Sequence, residues 1–181
     1  MNKAIAYATK KHDGQRRKAE DIPYISHPYR VAMLLSQQQC EEEVVITGIL
    51  HDVVEDTDGT LAEISELFGK TVAALVEYAS EPDKSLSWEE RKKHTIETIK
   101  NAPIQAKLVV CADKIDNLSS ISQTYAQIGD DVWKSFKRDY DSQKWYYTSV
   151  YNSLIHGIDE EERPALFTVY QKLLTQFFET K

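Results

Sequence analysis

Four ionisable residues crowd into the segment HDVVEDT: His51, Asp52, Glu55 and Asp56, directly behind the apolar run of Val44, Val45, Gly48, Ile49 and Leu50. Taking charges out of water without partners costs several kcal/mol each, so a helix gains no stability by turning such groups inward. Helical geometry gives them a use instead. His51 and Asp52 diverge by about 100°, close enough to reach one metal ion, and Glu55 stands four residues after His51 and three after Asp52, on the same face. Asp56 follows Asp52 by four. One turn can therefore supply two ligands and, above them, two carboxylates within reach of a water at the metal.

Two ligands are not a site, and the best candidates for the others are His27 in PYISHP and Asp113 in ADKIDN. Each is an ionisable residue in an apolar stretch: Ile22, Pro23, Tyr24 and Ile25 precede the histidine, and Leu108, Val109, Val110 and Ala112 precede the aspartate. Two imidazoles and two carboxylates make a mixed nitrogen and oxygen donor set. Such a set suits Mn²⁺, Fe²⁺ or Zn²⁺ better than Ca²⁺ or Mg²⁺, and it is unlike a thiolate-bound structural zinc. Of the remaining histidines, His12 and His94 read as surface or supporting groups and His156 as a helix-end residue. The basic run Lys10, Lys11, Arg16, Arg17 and Lys18 is compact enough to receive a small polyanion.

Apolar residues recur at spacings of three and four nearly throughout, which predicts an all-α fold. Helix one covers about residues 2 to 11. Ser26 can cap a second helix with His27 in its first turn, and a third starts near Glu41 to Glu43 and carries into HDVVEDT. Thr60 with Glu63 and Ser87 with Glu90 have capping-box spacing and open two more, the first ending near Gly69, with a break at Glu81, Pro82 and Asp83 between them. A long helix begins with Pro103 in its first turn and places Asp113 in its middle. After Gly129 come two aromatic-rich helices, around Trp133 to Phe136 and Trp145 to Leu154. Asp159 with Glu162 then opens a last helix reaching Phe178. The aromatic residues read mostly as core, with one or two free to stack on a base.

The 181 residues fit one domain, 1–181, of ordinary globular composition. A net charge of −7 argues against nucleic acid as a partner, since affinity for phosphate backbones comes from a broad basic surface. The sequence has no run of 18 apolar residues and no signal-peptide pattern, so a cytoplasmic protein without a membrane partner is expected. Cys40 and Cys111 are far apart and read as buried or idle thiols.

Four blocks in order, HDGQRRK at 12–18, PYISHP at 23–28, HDVVEDT at 51–57 and ADKIDNL at 112–118, resemble the HD superfamily. Within it they resemble the hydrolase domain of the RelA/SpoT-type enzymes and the free-standing small alarmone hydrolases. The resemblance covers most of the chain. It implies a compact helical bundle with one Mn²⁺ between helices, held by His27, His51, Asp52 and Asp113. It also implies removal of pyrophosphate from the 3′ position of guanosine tetra- or pentaphosphate, with Glu55 and Asp56 positioning and deprotonating the attacking water. By the same match Arg17, Lys18 and Asn117 face the nucleotide and its phosphates. A substrate-contacting tyrosine is expected among Trp145, Tyr146 and Tyr147, and Tyr146 is selected. A single such domain would lack the synthetase and regulatory domains of the long enzymes and act only in the degradative direction. Competing readings keep the site but change the substrate to an adenosine alarmone, a deoxynucleotide or NADPH, or make the chain a module that senses an alarmone without cleaving it. The presence of both Glu55 and Asp56 argues against the sensor. Oligomeric state is not encoded in any of these motifs.

Overall fold

The computed structural model describes residues 1–17, 20–81, 84–136 and 138–179. The helical spacing is realised as α1 (Asn2–Lys11), α2 (Ser26–Gln37), α3 (Glu42–Leu50), α4 (Val53–Asp56), α5 (Leu61–Phe68), α6 (Lys70–Ala79), α7 (Trp88–Lys100), α8 (Ile104–Ile128), α9 (Tyr140–Ile155) and α10 (Ala165–Phe178). The fold is all-α: among the described residues the only β-type pairing is an isolated antiparallel bridge between Arg16 and Pro23. None of the described helices is long and apolar enough to cross a membrane.

α8 is the axis. Its Val109, Cys111, Ala112, Ile115 and Leu118 are buried, and α2, α3, α6, α9 and α10 all pack against it. Complete burial of an aliphatic side chain contributes about 1.5–3 kcal/mol, and the core continues without a gap from Ala4 in α1 to Phe178 in α10. α2 and α3 lie against each other because Gly48 has no side chain. A Cβ at that position would meet Leu35 Cδ1 at 2.7 Å and Val31 Cγ1 at 3.3 Å. This close approach brings the start of α2 and the end of α3 together over the middle of α8.

Both capping boxes form: the Thr60 and Ser87 side chains accept from the N–H groups of Glu63 and Glu90, whose carboxylates return to the capping backbone. Four local expectations are corrected. Ser26 does not cap α2; it is the first helical residue, and its hydroxyl donates to the Pro23 carbonyl at 2.8 Å. Pro103 sits just outside α8, at its capping position. The segment around Trp133 is a 3₁₀ turn, Gly129–Ser135, entered through Gly129 at φ 61°. The last helix does not open at Asp159: Glu160–Glu162 form a 3₁₀ turn, and α10 starts after Pro164. A proline pushes the residue before it away from helical geometry, and Arg163 is accordingly extended at ψ 129°. Pro82 and Asp83, within the expected break, lie outside the described residues.

Candidate active site

The helix carrying His51 is interrupted where the chemistry begins. α3 stops at Leu50, the His51 ring donates from Nδ1 to the Gly48 carbonyl at 2.9 Å, and the chain restarts as α4 after Asp52. The two halves keep helical backbone angles across the break, so the expected four-residue stacking survives. Tyr24 shows it directly: its hydroxyl is 2.6 Å from Asp52 Oδ2 and 3.3 Å from Asp56 Oδ2.

His27, at the start of α2, is 1% exposed, as is His51. Its Nδ1 is bonded to Asp116 Oδ2 at 2.7 Å, which fixes the ring and leaves Nε2 pointing at Asp113 Oδ1 (3.2 Å) and Asp52 Oδ2 (3.4 Å). His51 Nε2 faces the same oxygens, at 3.2 Å from Asp52 and 3.8 Å from Asp113, yet it is buried with no partner in hydrogen-bonding geometry. In both rings the outward nitrogen is bound to an oxygen, and the inward one is aimed at a shared point. That is how histidines are held for a metal. His27, His51 and Asp113 form a tight group able to hold a metal ion, and Asp52 reaches both imidazoles from its edge. The residues fit a divalent cation.

The electrostatics agree. Burial alone would lower the His27 pKa, but hydrogen bonds with Asp113, Asp116 and Asp52 outweigh it and raise the value to about 9. His51 is also pushed up, by the neighbouring Asp52 and Asp113, against its burial. Asp52 and Asp113 are held well below the usual carboxylate range in spite of burial, Asp52 by the two imidazoles and Asp113 by Lys114 together with them. The carboxylates thus stay charged and keep protons on the rings, which a cation would displace on entering.

Glu55 and Asp56 line an open cavity of about 660 Å³ that also takes in Tyr24, Glu81, Trp88 and Phe136. Burial first, then the charges of Asp52 and Glu81, raise Glu55 to about 6. One of its oxygens accepts the Glu81 N–H at 3.0 Å. Asp56 is held from outside by Lys84 at 2.7 Å. Cations surround the pair: Arg16, Arg17, Lys84, Arg91 and Lys92 all line the cavity.

Of the sequence-selected nucleotide contacts, Arg17 and Asn117 stand together on the cavity wall, Arg17 donating to the Asn117 amide oxygen at 3.0 Å. The Asn117 amide nitrogen donates onward to Asp113 Oδ1. Lys18 lies outside the described residues. Tyr146, selected from sequence, does not line the cavity. It is 3% exposed, beneath Lys92 and Lys114, and the residue of that helix lining the cavity beside Gln143 is Tyr147. One helical step of about 100° separates the two rings, too fine a distinction for periodicity alone. The basic run is also split: Lys11 turns to Asp58 at 2.9 Å, leaving Arg16 and Arg17 for the cavity. His12 is not a surface group. It is 2% exposed, packs on the Tyr24 ring, and bonds Gln15, which in turn holds the Asp56 carbonyl. His94 and His156 are exposed.

Sequence reading missed Tyr24, Glu81, Arg91 and Asp116. Two carried a local signal, since Tyr24 is three residues before His27 and Asp116 three after Asp113, each one turn from a ligand. Glu81 and Arg91, paired at 2.6 Å across the segment between α6 and α7, carried none.

Fold and site together define a helical protein built around a buried His/Asp cluster, joined to a cation-lined cavity through Tyr24 and Asn117, which line the cavity and bond Asp52 and Asp113. The family model of the HD domain matches residues 4–139, and the chain belongs to that family. It is 40% identical over 138 residues to the guanosine-3′,5′-bis(diphosphate) 3′-pyrophosphohydrolase MESH1 of Drosophila melanogaster, covering 75% of this chain and 74% of that one. The solved structure of lmo0812 from Listeria monocytogenes EGD-e matches with a TM-score of 0.79 and 44% identity, over 84% of this chain and 99% of that one. The solved structure of a metazoan ortholog of SpoT that hydrolyses ppGpp and plays a role in starvation responses matches with a TM-score of 0.80 and 32% identity, over 97% of this chain and 93% of that one.

Proposed function

We propose that this chain is a Mn²⁺-dependent pyrophosphohydrolase that removes the 3′-pyrophosphate of guanosine tetra- and pentaphosphate. The observation that carries the reading is the meeting of two features: Glu55 and Asp56 form part of the wall of a cavity that collects five cations in a chain of net charge −7. That contrast fits a small polyanion, and guanosine-3′,5′-bis(diphosphate), the substrate of the similar MESH1 enzyme, is one.

His27, His51, Asp52 and Asp113 would hold the ion. When bound, it would neutralise oxygens of the phosphate under attack and acidify the attacking water. Glu55, near the cluster and raised to about 6, is suited to take the proton from that water at neutral pH. Asp56, fixed by Tyr24 and Lys84, orients it. Water adds to the phosphorus bonded to the 3′ oxygen, the bond to that oxygen breaks, and a nucleotide with a free 3′-hydroxyl leaves with pyrophosphate. Arg17, Lys84, Arg91 and Lys92 face the phosphates. Trp88, Phe136 and Tyr147 offer flat surface to the base, with Tyr147 taking the role assigned from sequence to Tyr146.

Purified protein incubated with Mn²⁺ and a panel of guanosine and adenosine 3′-pyrophosphates, deoxynucleotides and NADPH tests the reading. Pyrophosphate should be released from the guanosine members, leaving GDP or GTP. No release from any 3′-pyrophosphate would overturn it, and preferential turnover of another member would reassign the substrate.

A further inference from the structure

Behind the metal cluster, on the side away from the substrate cavity, lies a closed set of charges. Asp116 accepts Arg30 Nε on Oδ1 at 2.5 Å, while its Oδ2 takes His27 Nδ1 at 2.7 Å and Arg30 NH2 at 3.2 Å. Arg30 is held in turn by Glu20, at 3.0 Å. Arg17 leans on both carboxylates, at 3.7 Å from Asp116 and 3.6 Å from Glu20. Asp116 lies within the ADKIDNL block without a role assigned to it there, and Arg30 lies outside all four blocks.

We infer that Asp116, fixed by Arg30, is a positioning residue that sets the orientation and tautomer of His27 for the metal. The argument is geometric. An imidazole can turn about its bond to Cβ, and only a fixed acceptor at Nδ1 keeps the Nε2 lone pair aimed inward. At 6% exposure Asp116 has little water around it, so its hydrogen-bond partners must come from the protein. Arg30, planar and permanently charged, meets both its oxygens side-on and supplies the missing countercharge. His51 has only a backbone carbonyl at its Nδ1. The two histidines are thus held by different means, and His27 is the one exposed to side-chain mutation. Because Arg17 also touches Asp116, the same carboxylate ties the substrate-facing arginine to the metal-facing histidine.

The inference rests on the metal reading above and is tested alongside it. Mn²⁺ affinity is measured by calorimetry on metal-stripped wild type, Asp116→Asn and Arg30→Met, with thermal melting of each metal-free protein as a control. Wild type should bind one Mn²⁺, and both variants should bind it about tenfold to a hundredfold more weakly. Arg30→Lys, which keeps the charge but loses the fork, should fall between. If wild type binds no Mn²⁺, the metal reading itself fails. If wild type binds and both variants match it within twofold, whether or not their melting temperatures drop, the positioning role is wrong and the network is only structural.

Discussion

At the scale of single residues, the proposed chemistry rests on two carboxylates with different surroundings. Glu55 is pushed up to about 6 by burial and by Asp52 and Glu81, whereas Asp56 is pinned between Tyr24 and Lys84. A general base works only when ionised. The rate should therefore fall as pH drops below about 6 and level off above it, with Glu55 deprotonated across the plateau. Replacing the pair, Glu55→Gln with Asp56→Asn, should keep Mn²⁺ binding and lower kcat by about 10²-fold or more. A double variant that turns over at wild-type rate, or an unchanged acid limb in Glu55→Gln, would contradict the assignment. Much of this was readable from sequence because His51, Asp52, Glu55 and Asp56 fall within six residues, and helical spacing fixes their relation. Tyr147 was not, since its difference from Tyr146 is which side of one helix meets a distant wall. Glu81 and Arg91 were not either, because their pairing depends on how the chain returns between α6 and α7.

At the scale of elements, the site exists because four helices meet. α2 brings His27, α3 and α4 bring His51 to Asp56, and α8 brings Asp113, and the contact between α2 and α3 depends on Gly48. Gly48→Val would drive its branched side chain into the buried Leu35 and Val31. Overpacking of this kind costs about 2 kcal/mol, and the better helix propensity of valine over glycine recovers only about 0.3 kcal/mol of it. Chemical denaturation should show that loss together with weaker Mn²⁺ binding, as the two histidine-bearing helices are forced apart. Unchanged stability would show that the pair has slack the geometry does not suggest. Element starts set by local chemistry, such as the Thr60 and Ser87 capping boxes, were legible as written. Those decided by competition between neighbours were not: Pro164 overrules the Asp159 and Glu162 pattern, and the Pro23 carbonyl claims the Ser26 hydroxyl.

Across the whole molecule, charge is sorted by place. Acidic residues dominate the chain, yet arginines and lysines gather around one cavity, and the buried carboxylates joined to it are each matched by imidazole, lysine or arginine. The all-α class followed from apolar spacing alone, and the order of the four sequence blocks foretold which segments converge. The distances that make them a site come only from packing against α8. The most direct test of the metal centre is crystallographic. Crystals of metal-stripped protein soaked in Mn²⁺ and measured at the manganese absorption edge should show one anomalous peak bounded by His27, His51, Asp52 and Asp113. A strong peak elsewhere with none at that point would contradict the site.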